Sequence, residues 1–143
     1  MTLLHTTGPA IVLALTLCAF PLRAEPDLAA GERVFTRCRA CHAITAPDGT
    51  RIEQGGRTGP DLYGVIGRQA GSVEGFRYSP GLQLLNATGF IWSEETVALF
   101  AADPTGFLRS QLNDPGARTA MAFTLRAGGE DLAAWLTTHS PAE

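Results

Sequence analysis

The chain contains no lysine: all eleven basic residues are arginine, set against fourteen acidic ones among 143 residues. With a formal charge of −3 and no basic run, it lacks the electrostatic footprint of a nucleic-acid binder. Cysteine and histidine are scarce, at three residues each, so a four-ligand zinc site is poorly supplied. No apolar stretch reaches the roughly 20 residues needed to cross a bilayer, and stable membrane insertion is not expected. Internal repeats and low-complexity tracts are also absent. What remains, 45% hydrophobic and 17% charged, is the composition of one globular domain with a modest core.

The first segment stands apart. Leu3 to Phe20 carries almost no charge, and the apolar block Ile11–Phe20 precedes Pro21-Leu22-Arg23-Ala24. This pattern reads as a signal peptide over 1–24, cleaved after the small residue Ala24 and directing the chain out of the cytoplasm. Only His5 and the amino terminus supply positive charge at its start. A transmembrane anchor is the competing reading, but the block is short and bounded by Pro9 and Pro21. Cys18 as a lipid-attachment site is disfavoured by Leu17, where processing prefers a small residue. The domain itself is then 25–143, with ten arginines, fourteen acids, two cysteines and a formal charge of about −4.

Within that domain, Asp27 to Cys41 reads as a capped helix with Leu28, Gly31, Val34, Phe35 and Cys38 on one face. Ala43 to Pro60 is rich in Gly, Pro, Asp and Thr and is expected as a long loop. Short helical turns are expected at 61–67 and 79–85. A helix capped by Ser93 should stop at Asp103-Pro104, with another from Thr105 to Leu112. Asn113-Asp114-Pro115-Gly116 opens a loop to Ala127, and a last helix runs from Gly129 to about Thr138.

The chemistry is concentrated in Cys38-Arg39-Ala40-Cys41-His42. Two thiols three residues apart at a helix end face the same side, where each can add to one of two neighbouring vinyl groups of a porphyrin, and the adjacent His42 can reach the iron. A chance pair, a disulfide or a dithiol redox centre is the alternative. Export favours covalent haem c, and the βαβ pattern of a thioredoxin-like protein is missing. The sixth iron position must then be taken by a Met, by a His or by nothing, and the domain offers Met121 and His139. Met121 lies in a loop, whereas a core Met usually sits on a periodic helix face. His139 falls on the frayed end of the chain, where a solvated histidine is ordinary.

These residues resemble the mitochondrial-type, or class I, cytochrome c family, nearest to the soluble periplasmic cytochromes c of α-proteobacteria. The resemblance covers about 26–139 and rests on 31–42, Thr58-Gly59-Pro60-Asp61-Leu62-Tyr63-Gly64-Val65-Ile66-Gly67-Arg68, Gly75-Phe76-Arg77-Tyr78-Ser79, Ile91-Trp92 and 117–123. It implies an all-α fold in which the first and last helices cross at Gly31 and Phe35 against Leu132 and Trp135, with the haem enclosed by helices and long loops. It also implies His42 and Met121 as axial ligands, Cys38 and Cys41 as thioethers, and the Pro60 carbonyl as partner of the other His42 ring nitrogen. Arg68, Tyr78, Trp92 and Thr119 match positions that hydrogen-bond or screen the haem propionates; Tyr78 and Trp92 also suit a core role.

Three departures qualify the transfer. Phe100 falls where relatives place a Tyr whose hydroxyl bonds the Met sulfur, which leaves the sulfur a better donor to iron. Extra residues fall in 43–57 and 81–90. Relatives of the mitochondrial kind dock through lysines; here Arg39, Arg51, Arg118 and Arg126 make either a local positive rim or a solvated face. The expected function is that of a monomeric periplasmic one-electron carrier of positive potential, not an enzyme. It would shuttle between respiratory or photosynthetic complexes or a periplasmic dehydrogenase, through the haem edge near Phe123. A haem peroxidase, or the cytochrome subunit of a larger oxidoreductase, is the rival, and the peroxidase needs the open iron position that Met121 would block.

Overall fold

A computed structural model describes residues 24–141, so the expected leader, Cys18 and all but the last residue of the cleavage motif lie outside the described residues. Helix α1 (Leu28–Phe35) starts where expected, because the Asp27 carboxylate accepts the Ala30 N–H at 3.0 Å. It ends earlier than its apolar spacing suggests. The Thr36 hydroxyl donates to the Arg33 carbonyl, and the chain tightens into a 3-10 turn over Cys38–Ala40. The cysteines therefore sit on a turn, not on the helix body.

Helix α5 (Gly129–Thr137) crosses α1 at the expected positions. A Cβ on Gly31 would run into the Asp131 carbonyl oxygen and lie 2.6 Å from the Trp135 Cβ, so only glycine lets the two backbones approach this closely. The Phe35 and Trp135 rings meet at 4.9 Å, and the Asp131 carboxylate accepts the Asp27 N–H at 2.9 Å.

Between these helices the chain forms α2 (Pro80–Ala87), α3 (Glu94–Ala102) and α4 (Pro104–Leu112). Ser93 and Thr96 form a reciprocal capping box on α3, and Thr137 donates to Glu94 at 2.7 Å to tie α3 to α5. Pro104 ends α3 and opens α4, whose first turn is capped by Asp103 on the Gly106 N–H at 2.9 Å. Phe35, Ile44, Leu85, Leu108 and Leu136 are fully buried in one core.

Three further expectations change. The 43–60 loop folds back as an antiparallel hairpin of β1 (Ile44–Thr45) and β2 (Arg51–Glu53), anchored by buried Ile44. Residues 61–67 are turns, not helix. Gly64 and Gly67 have φ of +64° and +83°, and the segment's backbone bonds are spent across the molecule: Gly67 N–H on the Trp92 carbonyl at 2.8 Å, Gly64 N–H on that of His139 at 2.9 Å. The chain end is accordingly not frayed at His139, whose ring lies 4.2 Å from that of Trp135. The fold is mostly helical, as expected, with this small sheet added.

Candidate functional site

The turn after α1 presents the thiols and the imidazole together, since the Cys41 and His42 N–H groups both donate to the Cys38 carbonyl, at 3.0 and 2.9 Å. Both thiols are free. Burial pushes the Cys38 thiol up to about 11, with Cys41 acting in the same direction and Arg37 opposing. Burial thus disfavours the Cys38 thiolate, the form with which a dithiol redox centre attacks.

His42 Nδ1 lies 2.7 Å from the Pro60 carbonyl oxygen. A carbonyl only accepts, so Nδ1 carries the hydrogen and the lone pair is left on Nε2. Burial holds the imidazole below its ordinary value despite the Pro60 bond, which favours the neutral, metal-ligating form. Gly59 is required beside it. Its N–H donates to the Cys41 carbonyl at 2.8 Å, and a Cβ there would fall 2.6 and 2.7 Å from the two ring nitrogens.

The turn forms one side of a cavity of about 410 Å³, which Met121 also lines. Met121 sits in the irregular segment after α4 and donates its backbone N–H to the Thr119 hydroxyl oxygen at 3.1 Å. Leu62, Val65, Leu82, Phe100, Leu132 and Leu136 supply apolar wall. Pro60, Arg68, Tyr78, Trp92 and Thr119 all line the same space, so tertiary folding gathers every site residue singled out in the sequence.

Their own bonds add roles that spacing did not reveal. Arg68 donates to the carbonyls of Tyr63 and Asp61, at 2.7 and 2.8 Å, and burial lowers its pKa. The Tyr78 hydroxyl accepts the Val73 N–H at 3.2 Å, and burial raises its pKa. Trp92 is buried and stacks on Phe107 at 5.6 Å, with Phe100 tilted against it at 5.2 Å, so its core role holds beside its place in the wall. Thr119 positions the Met121 backbone.

Sequence reasoning missed Arg37, Arg77 and Ser79 as lining residues. The Ser79 hydroxyl oxygen is buried with no hydrogen-bond partner, and only its place in the Tyr78-Ser79 segment could have signalled it. Arg39 is paired with Glu53, Arg51 reaches Gln54 at 3.5 Å, and Arg118 and Arg126 are exposed.

The residues fit a flat apolar macrocycle that carries a metal and acidic edges. Two thiols line the cavity, a neutral imidazole and a thioether are available to a metal, and Arg68, Tyr78 and the unpartnered Ser79 offer donors. Among the described residues no cluster of three or more His, Cys, Asp or Glu could hold a bare metal ion.

No protein-family model matches the chain. It is 50% identical over 129 residues, 90% of its length and 93% of the relative's, to the cytochrome c2 of Rhodobacter capsulatus. It is 47% identical over 131 residues, 92% and 94% of the two lengths, to the cytochrome c-551 of Roseobacter denitrificans. The solved structure of the R. capsulatus cytochrome c2 superposes with a TM-score of 0.77, covering 78% of this chain and 97% of that one.

Proposed function

The chain belongs to the class I cytochrome c family, beside the cytochromes c2, c-550 and c-551 of α-proteobacteria, and on that premise we propose how its residues carry out one-electron transfer. It carries one covalently attached haem c, which supplies an Fe(III)/Fe(II) couple able to take up and release a single electron. Cys38 and Cys41 hold that group by thioether bonds. His42 ligates the iron through Nε2, oriented by its bond to Pro60, and Met121 ligates from the loop braced by Thr119.

The observation that carries the reading is the 2.7 Å His42–Pro60 bond on a turn bearing both thiols, at a cavity that Met121 also lines. A histidine that binds metal characteristically donates its other ring N–H to such a carbonyl, which fixes the ring and strengthens the ligand. Arg68, Tyr78, Trp92, Thr119 and Ser79 offer donors or screening to the propionates. Held by both His42 and Met121, the iron would offer no open position to a substrate, and the molecule would act as a carrier and not as an enzyme.

The carrier works in the periplasm after removal of 1–24, as a monomer. Its electrons pass between membrane respiratory or photosynthetic complexes or a periplasmic dehydrogenase, across the cavity mouth near exposed Phe123. No helix among the described residues is long and apolar enough to cross a membrane.

Met121→Ala tests the ligation. It should keep the haem stain on a denaturing gel, lose the sulfur-to-iron absorption band and bind carbon monoxide rapidly. An unchanged spectrum and potential would remove Met121 from the iron, and rapid carbon monoxide binding by the wild type would favour the peroxidase rival. Sequencing the N-terminus of the exported protein should start at Glu25.

A further inference from the structure

Asp61 immediately follows the carbonyl that holds His42, and its side chain is fixed to backbone. Oδ1 accepts the Tyr63 N–H at 2.9 Å and the Thr45 N–H at 3.1 Å, which ties the 61–63 turn to strand β1. The residue is half-buried, and its own carbonyl is taken by Arg68 at 2.8 Å. Neither of the ion pairs seen among the described residues, Arg33–Asp27 and Arg39–Glu53, involves the Asp61 carboxylate; the cation nearest it in the hydrogen-bond network is Arg68, which binds the Asp61 backbone carbonyl and not the carboxylate. Its charge reaches both neighbours of interest: it favours the cationic form of His42 and of Arg68, against their burial.

We infer that Asp61 is a fixed negative charge that holds the reduction potential down, acting on the iron through space and through the Pro60–His42 hydrogen bond. The inference rests on the ligation by His42 proposed above. When the centre gives up its electron, the site gains one positive charge, and a nearby carboxylate stabilises that oxidised form. In a partly buried setting the attraction is screened far less than in water. The same charge polarises the Pro60 carbonyl toward the Nδ1–H, making the imidazole a stronger donor to a cationic metal. Asp61 is thus a positioning and tuning residue that acts through Pro60 and His42, since it does not itself line the cavity.

Asp61→Asn separates charge from shape, because the amide oxygen can accept the same two N–H bonds. In the haem-loaded protein the midpoint potential should move to more positive values. At an ambient potential equal to the wild-type midpoint, the reduced-to-oxidised ratio should rise roughly threefold or more, while the absorption spectrum stays that of the wild type. Asp61→Glu, which keeps the charge, should remain closer to the wild-type ratio even if it melts lower. An unchanged or lowered potential in Asp61→Asn, or a shift in Asp61→Glu as large as in Asp61→Asn, would overturn the inference. Failure of the ligation reading shows itself separately, in a wild-type spectrum that is not low-spin before any titration is made.

Discussion

At the scale of single residues, the site depends on who is allowed near the His42 ring. Gly59 is the tightest case, because a methyl group there would occupy the space of the imidazole nitrogens. Gly59→Ala should displace the ring from Pro60, with an overpacking cost of about 1–3 kcal/mol. Urea unfolding of the haem-loaded protein should show that loss, and the His42 Nδ1 proton should exchange faster with solvent. A wild-type midpoint with an unaltered Nδ1 signal would show that the ring can move aside freely. The motif Cys38-Arg39-Ala40-Cys41-His42 is legible in sequence because its chemistry is local. Gly59 stands in a matching segment, yet its reason for being glycine is a contact with a residue far away along the chain. Ser79 is similar: nothing in a Ser-Pro pair says that the hydroxyl will be buried without a partner.

Among elements, the α1–α5 crossing carries the scaffold. Phe35, Leu132, Trp135 and Leu136 are buried, and apolar spacing alone places them on inner faces. Gly31→Ala would press a methyl group onto the Asp131 carbonyl and the Trp135 Cβ, forcing the helices apart. The expected loss is about 1–3 kcal/mol in urea unfolding, with the haem still attached, since the thiols sit beyond the end of α1. A neutral result would mean that α5 shifts at no cost. The helices with strong local signals, such as the Ser93 capping box and the Pro104 start, were readable from sequence within a residue or two. The 61–67 turns and the 44–53 hairpin were not. The turns trade local helical bonds for bonds to Trp92 and His139, and the hairpin is stabilised by burying Ile44, which are long-range gains that no short window contains.

For the whole molecule, charge is the open variable in partner choice. The net charge is negative, yet Arg37 and Arg77 line the cavity at exposed positions. If electrons leave at that mouth, oxidation by the anion hexacyanoferrate(III) should slow as salt is added, because screening weakens steering. Arg37→Gln with Arg77→Gln should reduce the low-salt rate roughly two- to tenfold and flatten the salt dependence. A rate that is insensitive to both salt and these substitutions would place electron exit elsewhere. Sequence by itself determined the attachment motif, the candidate ligands and the helical ends of the fold, because each is written in neighbouring residues or a short period. Tertiary structure alone decided that Gly59 lies against the His42 ring and that Arg39 is spent on Glu53. It also decided that Thr119 braces Met121 and that Asp61 stands next to the proximal side of the site. Those are pairings across long stretches of chain, selected by burial and hydrogen-bond satisfaction in the folded whole.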